Sequence, residues 1–220
     1  SFGGRHHDCQ SNRTYRENIR RFVTAMAERF KDHPYVIGWQ IDNELGNSHE
    51  DLCMCDSCRK AFQEWLQKKY HTIECLNKEW GTGFWSQDYD RFDQIPVPRK
   101  APTLHNPSLL LDFKRFCSDL VVDFQNFQID LIRQIAPHQK ITHNMMGFYD
   151  KTDYYKLAEK LDFSRKRIKD LLDEGNVLVN QKVMKASYKV CVGDEIEVSI
   201  PELDSMEVLP EPIDLDIVYE

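Results

Sequence analysis

Asp42, Asn43 and Glu44 end the apolar run of residues 36–41, and a short loop later Cys53, Cys55 and Cys58 crowd into a C-x-C-x-x-C pattern. The two groups suit different chemistry. A carboxylate carried just past a buried strand is held by a rigid element, as proton transfer to or from a bound ligand requires. A lone Glu is more often a solvated loop residue, but a place behind an apolar strand, with Asn43 before it, favours the chemical role. Three cysteines this close together are poorly placed to bridge one another, whereas thiolates at such spacing are ready ligands for a tetrahedral metal. The chain has seven cysteines, an odd count. That fits a reduced, cytoplasmic, metal-binding use better than a secreted disulfide framework.

These residues need elements to position them. Thr14 and Glu17 have capping-box spacing, and Ile19, Phe22, Val23, Met26, Ala27 and Phe30 recur at helical period until His33 and Pro34 stop the pattern. Residues 36–41 do not alternate, which predicts a parallel strand buried on both faces and puts Glu44 just past its carboxyl end. Ala61, Phe62, Trp65, Leu66 and Tyr70 mark one helix, and Leu76 and Trp80 another that stops at Gly81. After a proline-rich loop over 95–107, a long helix carries Leu110, Phe113, Leu120, Val121, Phe124, Leu131, Ile132 and Ile135 up to Pro137. Residues 140–144 read as a second buried strand with polar residues at its far end. Strand, crossover helices and strand make a βαβ unit of an α/β fold.

A helix over 153–160 leads to Leu161, Asp162 and Phe163, the opening of a third strand that is not completed. At Ser164 the pattern changes to a basic helix that runs to Leu172 and closes at Gly175. Strand-like pieces follow at 176–180, 183–190 and 195–200, with a turn at Gly193 and Asp194. Residues 201–220 are acidic and punctuated by prolines, which predicts an extended tail. The domain boundary is expected at Phe163 and Ser164, giving units of 1–163 and 164–200 before the tail.

Composition narrows the classes. A chain of 220 residues, 41% hydrophobic and 30% charged, supports one good core, or a partial domain with a small second one. No stretch approaches the roughly 20 apolar residues a bilayer demands, so no membrane partner is expected. No signal-peptide pattern opens the chain, which begins at Ser1 as an interior segment does. A net charge of −7 argues against wholesale nucleic-acid binding and leaves room for a local basic patch.

The segment 5–163 resembles the central part of a glycoside hydrolase family 42 β-galactosidase. The likeness is carried by residues 39–44 (Trp39 to Glu44), the cysteine run, residues 80–87 from Trp80 and Gly81 to Ser86 and Gln87, and residues 142–148 with Thr142, His143 and Asn144. It implies part of a (β/α)8 TIM barrel with Glu44 as the general acid/base of a retaining mechanism at the end of the fourth strand. It also implies that Asn43 bonds the sugar 2-hydroxyl, that Asn144 contacts the sugar, and that the intact enzyme is a homo-oligomer, a trimer. By the same resemblance Cys9 joins Cys53, Cys55 and Cys58 around a structural zinc that leaves no open position for catalysis. Cys75, Cys117 and Cys191 are then ordinary buried or partly buried thiols. Asp42 is expected to satisfy loop backbone groups. Trp39, Trp80 and Trp85 fit either a sugar-stacking platform or the core.

Residues 164–200 resemble the S-four RNA-binding domain at the front of large-subunit-type pseudouridine synthases, through Ser164 to Ile168, Glu174 to Asn180, Lys185 to Val190 and Gly193 to Ile196. That small α+β unit implies RNA phosphate contacts from Arg165, Lys166, Arg167 and Lys169, against the plainer reading of a solvated basic helix face. A retaining glycosidase needs a second carboxylate, and none is recognisable at another strand end of this chain. The expectation is therefore a hybrid of a barrel fragment and an RNA-binding fragment, inactive on a β-galactoside.

Overall fold

The computed structural model describes residues 8–45, 53–84, 86–145, 152–161, 163–185 and 188–199, with the backbone alone for 163–168. Two compact units emerge, Ser1–Arg165 and Lys166–Glu220. Trp85, residues 146–148 and the expected tail over 201–220 lie outside the described residues. No described helix is long and apolar enough to cross a membrane.

The first unit opens with helix α1 (Arg13–Phe30). Its N-cap is Asn12, whose side chain accepts from Tyr15 N at 2.9 Å. The expected Thr14 cap is thus displaced by two residues: Asn12 takes the extended backbone of a cap, and Thr14 already lies inside the helix. Strand β1 (Gly38–Gln40) follows, then α2 (Asp56–Tyr70), α3 (Ile73–Trp80), a 3-10 turn at Phe92–Gln94, and the long α4 (Pro107–Ile135). Asn106 caps α4 and Pro107 occupies its first turn, where a missing N–H costs nothing. Strand β2 (Lys140–His143), α5 (Tyr154–Ala158) and β3 (Phe163–Ser164) complete the unit.

The strands form one parallel sheet in the order β1, β2, β3. Gly38 is required by that pairing, since a Cβ there would sit 2.6 Å from Lys140 O. Two expectations change. The first strand is shorter than residues 36–41 and is not buried on both faces, for Ile37 is 86% exposed. It pairs with β2 on one side only among the described residues. The third strand does form, although over two residues, with Thr142 opposite Phe163 and His143 opposite Ser164.

Two buried clusters hold this unit. Phe62, Leu66, Leu76, Trp80, Ile95, Val97, Leu109, Phe113 and Phe116 pack where α2, α3 and the first half of α4 meet. Ile41, Ile129, Ile132, Ala136 and Ile141 pack where the second half of α4 covers the sheet. One helix therefore serves both.

In the second unit, α6 (Arg165–Asp173) leads into an antiparallel sheet of β4 (Val177–Val179), β5 (Lys182–Val183) and β6 (Ile196–Val198), with β4 in the middle. Asn180 and Gln181 turn the β4–β5 hairpin with φ of 50° and 64°, the two left-handed positions of a type I′ turn. The strand expected over 183–190 shrinks to its first residue, Val183. Beyond it the chain is organised by Asp194, which accepts from Asn180 Nδ2, Tyr188 Oη and Cys191 N at 2.8, 3.0 and 2.8 Å.

Candidate functional site

At the carboxyl end of β1 the chain makes a tight excursion. Asp42 and Glu44 both have φ of 50°, a left-handed conformation that costs a non-glycine residue free energy and persists only when neighbours enforce it. The enforcing neighbours are local and from β2. Asp42 Oδ1 accepts from Asn43 N at 2.8 Å, the backbone-satisfying role expected of it. Glu44 N donates to Asn144 Oδ1 at 3.2 Å, and Asn144 Nδ2 donates to Asn43 Oδ1 at 2.8 Å. His143, 1% exposed, reaches both ends of the excursion: Nδ1 lies 2.6 Å from Ile41 O, and Nε2 accepts from Leu45 N at 3.0 Å.

The structure thus brings Asn43, Glu44 and Asn144 together at adjacent strand ends. Asn43 is exposed and Glu44 half-buried, as groups that meet a ligand must be. His143 is the residue without a role in the sequence reading. Its signal was the alternation Ile141, His143 on the buried face of β2. Burial pushes its imidazole below the ordinary histidine range, while Ile41 O, Asp42 and Glu44 pull the other way.

The tryptophans resolve towards structure. Trp80 is 5% exposed and donates from Nε1 to Asp112 Oδ2 at 3.1 Å, and Trp39 donates to Gln139 Oε1 at 2.7 Å.

The second cluster joins the segment before α1 to the start of α2. Sγ atoms of Cys9, Cys53, Cys55 and Cys58 all lie within 4.8 Å of one another. Cys9 stands 3.4 Å from Cys55 and 3.5 Å from Cys58, far beyond a disulfide bond of about 2.05 Å. Tetrahedral zinc with bonds of about 2.3 Å separates its sulfurs by roughly 3.8 Å, so four thiolates here fit such an ion with small adjustments. Hydrogen bonding with Cys58 draws the Cys9 thiol down to about 5 against the cost of burial, and the same bond pushes Cys58 up, as when one proton is shared. Cys55 is the N-cap residue of α2, whose N-terminal amides also favour anionic sulfur. The four-cysteine cluster can bind a metal ion. Burial pushes Cys117 up to about 12, an inert thiol. Cys75, on α3, and Cys191, in the irregular chain before β6, are exposed, not buried as expected.

Of the four basic residues, Lys169 is exposed; the side chains of Arg165, Lys166 and Arg167 lie outside the described ones.

Comparison with known proteins finds two family models. The glycoside hydrolase family 42 model, described as beta-galactosidase, matches residues 1–170, and the S4 domain model matches residues 157–196. Beta-galactosidase BgaA of a Thermus species is 47% identical over 163 residues, which are 74% of this chain and 25% of that protein. Among solved structures, the beta-galactosidase of the psychrophilic Marinomonas ef1 aligns with a TM-score of 0.71 at 44% identity, covering 74% of this chain and 25% of that one. The beta-galactosidase of the Antarctic haloarchaeon Halorubrum lacusprofundi aligns with a TM-score of 0.71 at 43% identity and the same coverage. The chain therefore spans about a quarter of the length of the relatives it matches.

Proposed function

Residues 1–170 belong to the glycoside hydrolase family 42 β-galactosidases, and we propose that they form part of a (β/α)8 barrel in which Glu44 is the general acid/base of retaining β-galactoside hydrolysis. The observation that supports this reading is the Asn43 and Glu44 pair at a strand's carboxyl end, locked by side chains from the next strand. Barrel enzymes place their chemistry on that rim. In this role the Glu44 carboxyl first gives a proton to the glycosidic oxygen as the leaving group departs, then as a carboxylate takes one from the attacking water. Asn43 donates to the sugar 2-hydroxyl, a bond that strengthens in the transition state, and Asn144 offers a further sugar contact.

A nucleophilic carboxylate about 5–5.5 Å from the acid/base is the other half of that mechanism. The described strands do not supply it: β2 is followed by Asn144 and β3 by Arg165. Turnover therefore needs a strand from elsewhere, such as an intact homo-oligomeric enzyme would contain. Cys9, Cys53, Cys55 and Cys58 would hold a structural zinc, which would tie the segment before α1 to the start of α2 and, with all four ligands from the chain, would supply no catalytic chemistry.

The test grafts residues 1–163 in place of the matching quarter of the Thermus relative. Glu44→Gln should lower kcat on an aryl β-galactoside by about 10²–10⁴-fold, the weight of general acid/base catalysis, with a larger loss for poorer leaving groups. Retention of full activity by Glu44→Gln refutes the assignment. The ungrafted chain should hydrolyse nothing, and turnover by it refutes the missing-half reading.

The S4 match over 157–196 favours a second reading for the remainder. Arg165, Lys166, Arg167 and Lys169 would contact RNA phosphates, so binding to structured ribosomal RNA should weaken with salt and with Arg165→Ala plus Arg167→Ala. Absence of binding at low salt removes this reading. The two matches together favour a barrel fragment joined in frame to an RNA-binding one. Sequencing genomic DNA across the codons for Phe163 and Ser164 decides whether the join is natural.

A further inference from the structure

The two contacts of His143 fix more than its position. Ile41 O can only accept a hydrogen bond, so Nδ1, at 2.6 Å, must carry a proton. Leu45 N–H can only donate, so Nε2, at 3.0 Å, must be bare. The imidazole is therefore neutral and in its Nδ1–H form, and each nitrogen is spent on one end of segment 41–45. Asn144, the next residue along, takes the segment's middle through Glu44 N and Asn43 Oδ1. Successive residues at the end of a single strand, His143 and Asn144, thus hold a strained turn at its two ends and its centre.

We propose that His143, as a neutral Nδ1–H imidazole, is the positioning residue that clasps segment 41–45 and sets the direction of Asn43 and Glu44, and that a second proton on this ring opens the clasp. Protonation at Nε2 would set an N–H against the Leu45 N–H, destroying one bond and burying a charge. Asp42 and Glu44 are the charged groups that act on the ring, and both favour the cation; burial opposes them and prevails. The clasp's consequence for catalysis rests on the acid/base reading of Glu44, whereas the clasp itself does not.

The sign of the pH dependence follows. The folded state holds this histidine neutral below the usual value of about 6.5, so the unfolded chain binds the extra proton first. The contribution of the clasp is complete above that value and drains away as pH falls through it towards the lower folded value.

Long-range 1H–15N correlation on the full chain, labelled at histidine, reads the tautomer directly, and amide exchange at Leu45 reads the clasp. At neutral pH His143 should show a protonated Nδ1 and a bare Nε2, with slow exchange at Leu45. His143→Phe keeps the volume and removes both bonds, and should speed Leu45 exchange at least about tenfold while Leu66 and Phe113 are unchanged, the scale of one lost bond of about 1.4 kcal/mol. His143→Gln places Oε1 near the Nε2 position and should restore slow exchange, which a merely space-filling histidine would not predict. If His143→Phe fails to fold, His143→Gln alone decides: slow exchange at Leu45 supports the clasp and fast exchange refutes it. A protonated Nε2, or titration in the ordinary histidine range, also overturns the proposal. In the grafted enzyme, full activity of Glu44→Gln beside an intact clasp sinks the acid/base role alone; a lost clasp beside a crippled Glu44→Gln sinks only this inference.

Discussion

The helical platform built by α2, α3 and the first half of α4 and the strand layer that carries Glu44 are packed to different standards. The platform buries Phe62, Phe113, Trp80 and six more apolar residues around a satisfied polar centre. In that centre Asp112, 2% exposed, accepts from Lys69 Nζ, Tyr70 Oη and Trp80 Nε1. The strand layer buries five residues, and leaves Tyr35 and Ile37 88% and 86% exposed just before its first strand. The contrast follows from sequence distance. Platform partners come from one stretch of chain, whereas a parallel sheet needs neighbours delivered by crossovers. The platform therefore closes on local chain alone, whereas the strand layer leaves apolar side chains exposed beside it.

Removing metal should produce the largest change, because structural zinc sites in small peptides are worth about 10–16 kcal/mol at neutral pH. Purified chain should carry about one zinc. Chelation, or Cys58→Ser, should free the segment before α1 and the first turn of α2 in hydrogen exchange, while the platform core stays protected. A chain that purifies without metal and exchanges identically with and without chelator would erase the clamp from the comparison.

Asp112→Ala comes next. It removes the acceptor shared by the partly exposed Lys69 and Arg115 and by Tyr70 and Trp80, at about 1–3 kcal/mol. Burial by itself would raise Asp112, but the hydrogen bonds from Lys69, Tyr70 and Trp80 outweigh it and hold the carboxyl below the ordinary range. The folded pKa is depressed, so this stabilisation is present above the unfolded value of about 3.9 and lost as pH falls below it. Urea midpoints of the wild type should fall across that window, and those of Asp112→Ala should fall less. Parallel curves would show that the platform's polar centre does not set its acid sensitivity.

What the residues disclosed beforehand divides along the same line. The path of α4, the grouping of Cys53, Cys55 and Cys58 and the place of Glu44 past a strand were readable, since each depends on local period or spacing. The clasp by His143 and Asn144 was not: it joins positions about a hundred residues apart, and only the alternation of Ile141 with His143 hinted at burial. Asp112 was hidden likewise. It lies one residue before Phe113 on a helix face that looked simply apolar, and its donors belong to other helices. The first strand is shorter than its apolar run because such a run records how buried a segment would be beside all its neighbours. Among the described residues none shields Ile37, which is 86% exposed.

Ile141→Val should have the smallest effect and be the most discriminating. Ile141 is fully buried among Ile41, Ile129 and Ile132. Losing one methylene while keeping the β-branched rotamer should cost about 0.5–1.5 kcal/mol. The two clusters share no buried residue, so if they fold independently this cost should add to that of Phe62→Ala, itself about 3–5 kcal/mol, within about 0.3–0.5 kcal/mol. Coupling beyond that in a double-mutant cycle must pass along α4. That helix places Leu109, Phe113 and Phe116 in one cluster and Ile129 and Ile132 in the other. Such coupling would mean that the well-packed platform stiffens the open rim through a shared helix, and that Glu44 owes its placement to residues far from any strand end.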